Sequence, residues 1–446
     1  MDSSPDRGDA RWAPRFFLIW GGQAFSLLGS SLVQFALVWW MTRETGSATV
    51  LATATLVALL PQIVLGPFIG PLVDRLERRR IMIVSDSAIA LATGVLMLLF
   101  AFDRVELWHV FAILAVRSLG GAFHGPAMAA STSLLVPERH LARVGGLNQT
   151  LHGVMNIVSP PLGALLVMAL PTHGVLAIDL ATAALAVVPL LFVRIPAPPR
   201  RADAAGSAGG VPGYLHDLKA GLAYVVKWPG LFAVILLAML LNFLIAPAGS
   251  LMPLLVTGSF GKGALELAWT ETLMGAGVIS GGLILSAWGG FKKKIATSLA
   301  GIVGIGAGIF LMGFAPASAF PLLLAGCFLT GFAQVFANGP LNAIFQSAID
   351  KDMQGRVFSL LGAGATAMMP LSLLAAGPIS DLLGIRTWYL AGGVVCVAVT
   401  LVATTIPAIM KIEENGHGKE TPELPGGETD PGPSRVEAAA RADAGA

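Results

Sequence analysis

Few residues of this sequence can do chemistry, and most of those are ionisable groups set in apolar surroundings. Arg117 stands near the middle of one apolar run and Asp179 lies between VLAI and LATAAL. Asp86 comes a turn and a half into another run, and Glu271 sits in a fourth. A charge at the centre of a membrane helix costs about 2.5–3.5 kcal/mol on insertion scales, so each of these groups calls for a partner, for water or for a functional reason. A carboxyl so placed can take up and release a proton. Asp179, with apolar flanks on both sides, is the first candidate for that task, with a helix-packing anchor as the equal alternative; Asp86, a histidine or Glu271 are the others. No nucleotide-cradling loop, metal-ligand cluster or nucleophile motif accompanies them, so the expected work is movement of a solute or proton on an ion gradient and not catalysis.

A second group of charges is concentrated in GPFIGPLVDRLERRRIMIVSD, residues 66–86. Asp74 falls at the C-terminal end of a helix, where the macrodipole disfavours a negative charge. It therefore needs a partner, either an arginine or the N-terminus of another helix, in a contact made in one conformational state. The alternative is simple solvation among Arg75, Arg78, Arg79 and Arg80.

The elements that must position these groups follow from composition. The 446 residues are 55% hydrophobic and 12% charged, against about 25% charged in a typical soluble domain. Such a chain must be solvated by lipid. The net charge of +2 is too small to indicate nucleic acid, and the two cysteines, both in apolar runs, build no disulfide framework. A span needs about 20 apolar residues. Runs of that length fall at 15–42, 47–74, 81–102, 106–136, 141–170, 174–194, 230–257, 268–290, 295–315, 319–348, 354–384 and 387–411. Basic residues cluster at alternate connections: Arg75–Arg80, Arg139 and Arg143, Arg194–Lys227, Lys292–Lys294, and Lys351 with Arg356. By the positive-inside rule these connections and both termini are cytosolic.

The expected domains are a cytosolic N-terminus (1–14), a six-helix bundle (15–194), a cytosolic linker with a surface helix (195–229), a second six-helix bundle (230–411) and a polar, proline-rich disordered tail (412–446). The two halves look like copies. His124-Gly125-Pro126 followed by Arg143-Val144 in the first corresponds to Asn338-Gly339-Pro340 followed by Arg356-Val357 in the second. A parallel repeat about the membrane normal is one known route to alternating access.

GPLVDRLERRR resembles the signature loop between helices two and three of the major facilitator superfamily, with Gly70, Leu72, Asp74, Arg75, Arg78 and Arg79 matching and Glu77 where a glycine is usual. The resemblance implies that Asp74 takes part in a charge contact closing the cytosolic face. Leu114, Arg117 and Gly121 match that family's helix-four pattern, whose arginine is associated with proton coupling; Gly120 replaces its customary glutamine. Ser159-Pro160-Pro161-Leu162-Gly163-Ala164 resembles the Gly-Pro-X-X-Gly-Gly signature of antiporting exporters, in which Pro160 and Gly163 would let the helix bend and seal. GQAFSLLGSSLVQFAL, LLPQIVLGPFIGPLVDRLERRRIMI, AFHGPAMAASTSLLVP and GRVFSLLGA, in this order, resemble the bacterial macrolide-efflux branch.

The resemblance implies an all-α membrane protein of the major facilitator fold, twelve helices in two pseudo-symmetric bundles, with helices one, four, seven and ten lining a central cavity. Gln23, Gln34, Arg117, His124, Asn242, Gln334, Asn338 and Asn342 lie on those helices, and span five adds Asn148, Gln149, His152 and Asn156. Asn148, His152 and Asn156 share one face at spacing four. Singly, each is better explained by an interhelical hydrogen bond; together they suit a cavity for large amphipathic solutes. The implied activity is proton-driven export of hydrophobic or amphipathic compounds by a monomer in the bacterial cytoplasmic membrane, with no cofactor or metal and no nucleic-acid partner. Export of an endogenous metabolite or siderophore is the second transport reading. A membrane receptor or scaffold on the same fold is the non-transport one.

Overall fold

The computed structural model describes residues 12–193 and 211–413, without the side chains at 67, 70, 71, 74, 75, 211–218 and 351. The contact expected of Asp74, the place of the Arg75 side chain, the first half of the expected linker and the expected tail beyond 413 lie outside the described residues.

Among the described residues, twelve helices are long and apolar enough to cross a membrane. In chain order they are α1 (Trp12–Thr45), α2 (Ala48–Arg75), α3 (Arg78–Ala101), α4 (Leu107–Leu135), α5 (Glu138–Ala169) and α6 (Thr172–Phe192). After α7 (Val211–Val226) come α8 (Pro229–Leu254), α9 (Ala264–Trp288), α10 (Lys294–Phe314), α11 (Phe320–Ala348), α12 (Lys351–Leu383) and α13 (Ile385–Thr405), then the short α14 (Pro407–Met410). In lipid every backbone polar group must be satisfied within the segment, which is why each apolar run is helical and the breaks fall in polar loops. Large apolar residues such as Leu91, Phe192 and Leu382 are exposed round the outside, where hydrocarbon and not water would cover them.

The helix ends follow local chemistry. Ser47 caps α2 by accepting from the Val50 amide at 3.4 Å. Gly289, in the left-handed region at φ 79°, ends α9. The last span stops at Thr405, six residues before the expected limit of 411. Pro407 explains this: its ring cannot donate a backbone hydrogen bond, so Ile406 turns extended and a separate turn begins.

The first six helices pack as one group, α1 against α4, α5 and α6, and α3 against α4 and α6. The last six form the second group, centred on α10 and α11 with α9 and α13 beside them. In that group a Cβ on Gly331 of α11 would strike the Met274 carbonyl of α9, so glycine is what permits so close a crossing. The groups meet along two seams, α2 with α12 and α5 with α9. Helix α7 lies against α12, with the Tyr224 hydroxyl 3.2 Å from Asp350 Oδ2.

Candidate functional site

The arginines of the α2–α3 connection serve the first bundle. Arg79 Nε donates to the Leu190 carbonyl at 2.5 Å and its Nη2 to Leu191 at 2.6 Å, which places a cation on the last carbonyls of α6. That is the favourable end of the helix dipole for a positive charge. Arg78 Nη1 donates to Ala130 of α4 at 3.1 Å, and Arg80 pairs with exposed Glu77. These bonds tie the start of α3 to its own bundle.

Deeper in the same bundle, Arg117 and Asp179 form an ion pair of 2.7 Å, with 11% and 3% of their side chains exposed. The pair is built by four helices. Arg117 Nη1 also donates to Thr93 Oγ1 at 2.6 Å, Thr93 Oγ1 lies 3.4 Å from Asp179 Oδ2, and Ser30 of α1 donates to Asp179 Oδ1 at 3.3 Å. Gly29 completes the pocket: a Cβ there would lie 2.9 Å from Asp179 Oδ1 and collide with Thr182. Two charges that each look isolated in the sequence thus satisfy one another.

A second buried acid, Asp86 of α3, accepts from Gln23 Nε2 of α1 at 3.0 Å. His124 Nε2 of α4 stands 3.4 Å from its other oxygen, within ion-pair range if the ring is protonated but without hydrogen-bond alignment. Gln23 and His124 therefore belong to this cluster. Asn148 accepts from Trp20 Nε1 at 2.8 Å and so fastens α5 to α1.

Two cavities bear on the site, the smaller between the two bundles and the larger mostly within the second. The larger, about 630 Å³, is lined by α8, α9, α10 and α11 together with Asn156 of α5. Asn242, Gln334 and Asn338 stand among its aliphatic and methionine side chains. The smaller, about 460 Å³, is lined by Gln34, Gln62, Arg117, Ser118, Asn156, Pro160 and their neighbours. Asn156 and Glu271 line both. Gln149, His152 and Asn342 line neither of the two cavities. Gly163 sets the α1–α5 spacing, since a Cβ there would meet the Phe35 ring at 2.9 Å.

Two features have little trace in the sequence. The wall of the larger cavity includes α10, whose Ser298 and Ile302 face it, so the space reaches into the second bundle beyond helices seven and ten. The other is Asp381 near the end of α12. Its carboxylate accepts from the Ala48 amide at 2.7 Å, the Thr49 amide at 3.0 Å and the Ser47 hydroxyl at 2.9 Å. It thus caps α2 across the bundle seam, at the end of the molecule opposite the arginine cluster. Gly377, a turn below, lets α12 approach until a Cβ would lie 2.9 Å from the Thr49 Cα. The only signals in the sequence were an acid at the end of one span and a Ser-Ala-Thr opening at another.

Comparison with known proteins agrees with this geometry. The family model of the Major Facilitator Superfamily matches residues 19–372. The chain is 35% identical over 402 residues to Macrolide efflux protein A of Streptococcus pyogenes, covering 90% of this chain and 98% of that protein. It is 28% identical to Multidrug efflux pump Tap of Mycolicibacterium fortuitum, covering 86% and 94%. Among solved structures, the fold matches the nucleoside transporter NupG with TM-score 0.64 at 13% identity, covering 89% of this chain and 98% of that one. A bacterial homologue of the iron transporter ferroportin matches with TM-score 0.63 at 15% identity, covering 87% and 98%. With twelve span-length apolar helices among the described residues, packed in two groups, and a family model covering most of its length, this chain belongs to the major facilitator superfamily of membrane transporters.

Proposed function

We propose that the chain exports amphipathic compounds of macrolide-like character in exchange for protons, as a monomer in the bacterial cytoplasmic membrane with both termini in the cytosol. The observation that carries this reading is the larger cavity, walled by α8–α11 and Asn156 of α5. Its volume of about 630 Å³ falls in the range of about 300–1,000 Å³ typical of small-molecule sites. Its lining combines aliphatic and methionine side chains with amides at Asn156, Asn242, Gln334 and Asn338, which suits a bulky apolar solute carrying scattered polar groups. The efflux relatives supply the direction of transport and the macrolide class.

The basic connections support an orientation with the arginine end in the cytosol. On that orientation the Asp381 contact lies on the outer face. For coupling, the buried clusters Arg117–Asp179 and Asp86–His124 are the candidates. Each holds a carboxylate with a cationic or titratable partner, so uptake of a proton would change which groups it binds. Asp74, with Gly70 and Arg75 beside it and Arg78 and Arg79 on the other side of the turn, is assigned to the closed cytosolic face of the opposite state. Pro160 and Gly163 are assigned to the bending of α5.

The test is accumulation of a labelled macrolide in efflux-deficient cells expressing the full chain, with and without an uncoupler. The expected result is lowered accumulation that the uncoupler restores. Unchanged accumulation of macrolides and of a broad panel of amphipathic drugs would overturn the reading.

A further inference from the structure

Among the described residues, Glu271 is the one carboxylate lining either of these two cavities, and it lines both. It sits two helical turns into α9, exposed to the cavity space, with no hydrogen bond or ion pair to any other described residue. Among the described residues the one other formal charge on these walls is Arg117, and Asp179 already neutralises it at 2.7 Å. The cavity surface therefore carries one uncompensated negative charge. An ionised carboxylate away from bulk water is costly unless a counter-charge reaches it.

What surrounds Glu271 narrows the counter-charge. The larger cavity is lined by Met252, Met274, Val278, Ile245 and other aliphatic residues, and no aromatic ring stands among its described lining residues. Cation recognition by aromatic faces, the usual alternative to a carboxylate, is thus missing from its walls. Amides at Asn156, Asn242, Gln334 and Asn338 offer dipoles but no charge. A solute filling this space would place its apolar body against the methionines and aliphatics and would meet one fixed charge, at Glu271.

We propose that Glu271 is the recognition point for a positively charged nitrogen or other onium centre, so that the transporter selects lipophilic monovalent cations over neutral or anionic compounds of equal size. This rests on reading the larger cavity as the solute chamber and adds the charge class of the solute. Methionines provide a wall that adapts to different apolar bodies, while the carboxylate supplies the feature those bodies must share.

The experiment measures binding and not transport, so it does not depend on export. Purified full-length protein in lipid nanodiscs is titrated with tetraphenylphosphonium, a permanent cation that cannot donate a hydrogen bond, and separately with the neutral dye Nile red. The expected result is at least a tenfold loss of tetraphenylphosphonium affinity in Glu271→Gln, affinity within about threefold of wild type in Glu271→Asp, which keeps the charge, and unchanged Nile red affinity in both. Equal cation affinity in wild type and Glu271→Gln, parallel loss of both probes, or no cation binding by the wild type would each overturn the proposal. If cation binding depends on Glu271 while macrolide accumulation in cells is unchanged, the cation site stands and the export reading fails. If export is found and Glu271→Gln binds the cation as wild type does, the reverse holds.

Discussion

Arg117 and Asp179 show how the cost of a buried charge is met by another one. Removing one partner of a buried pair leaves the other uncompensated, at about 3–5 kcal/mol, whereas replacing both with apolar groups is often neutral. Arg117→Met is therefore expected to lower the thermal midpoint of the solubilised protein sharply, and Arg117→Met combined with Asp179→Leu to recover most of that loss. Thermal unfolding of the two variants in detergent measures this, and additive losses would show that the charges act independently. Transport by the double variant then separates stability from coupling. A variant as stable as wild type that moves solute without a proton gradient dependence would assign the coupling role to this pair. Gly29 belongs to the same constellation, because any side chain there enters the space held by Asp179 and Thr182.

At the scale of elements, the seam between α2 and α12 is joined at one end by the Asp381 carboxylate. Asp381 satisfies two backbone amides at the start of α2, groups that no carbonyl within that helix can reach. Loss of such a cap costs about 0.5–2 kcal/mol, which corresponds to about a 2- to 30-fold change in the ratio of two states that differ by this contact. Asp381→Ala should thus raise the population open at that end. The check is the labelling rate of Thr53→Cys, one turn inside the contact, by a membrane-impermeant thiol reagent; Cys327 and Cys396 are buried and give little background. An unchanged rate would mean that the Asp381 cap does not control this face. Gly377→Leu should act in the same direction by wedging α12 from Thr49.

For the whole molecule, the two ends are not equivalent. The end opposite the arginine cluster is joined across the seam by Asp381 and by the approach of Gly377 to Thr49. At the arginine end, the first turns of α5 are exposed at Ala142, Arg143, Gly145, Gly146, Gln149 and Thr150 or close to it. An alternating-access cycle of the kind proposed would require the opposite arrangement in turn, with the Asp74 loop as the counterpart of Asp381 at the arginine end. Each acid lies near the C-terminal end of one of the two helices that meet along the seam. Asp74→Asn is accordingly expected to reduce transport several-fold while leaving expression largely intact. Uptake assays normalised to membrane protein measure it, and wild-type rates would remove the gating role.

The chain's own sequence determined the number, position and alternation of the spans. Each depends on local composition alone: about 20 apolar residues to cross the hydrocarbon, with every backbone group satisfied inside the segment. Pro407 moved one limit, again for a local reason. The sequence also marked Arg117, Asp179, Asp86 and Glu271 as charges needing an explanation, because cost can be read from surroundings along the chain. What each charge meets was decided only in three dimensions. Arg117 and Asp179 are 62 residues apart, and Asp381 reaches Ala48 across 333. Such pairings depend on which helix faces are brought together by packing, and no periodicity within a single span encodes that. Glu271 is distinguished for the same reason: its run looks much like the others, and only the assembled bundles leave its carboxylate unpaired between two cavities.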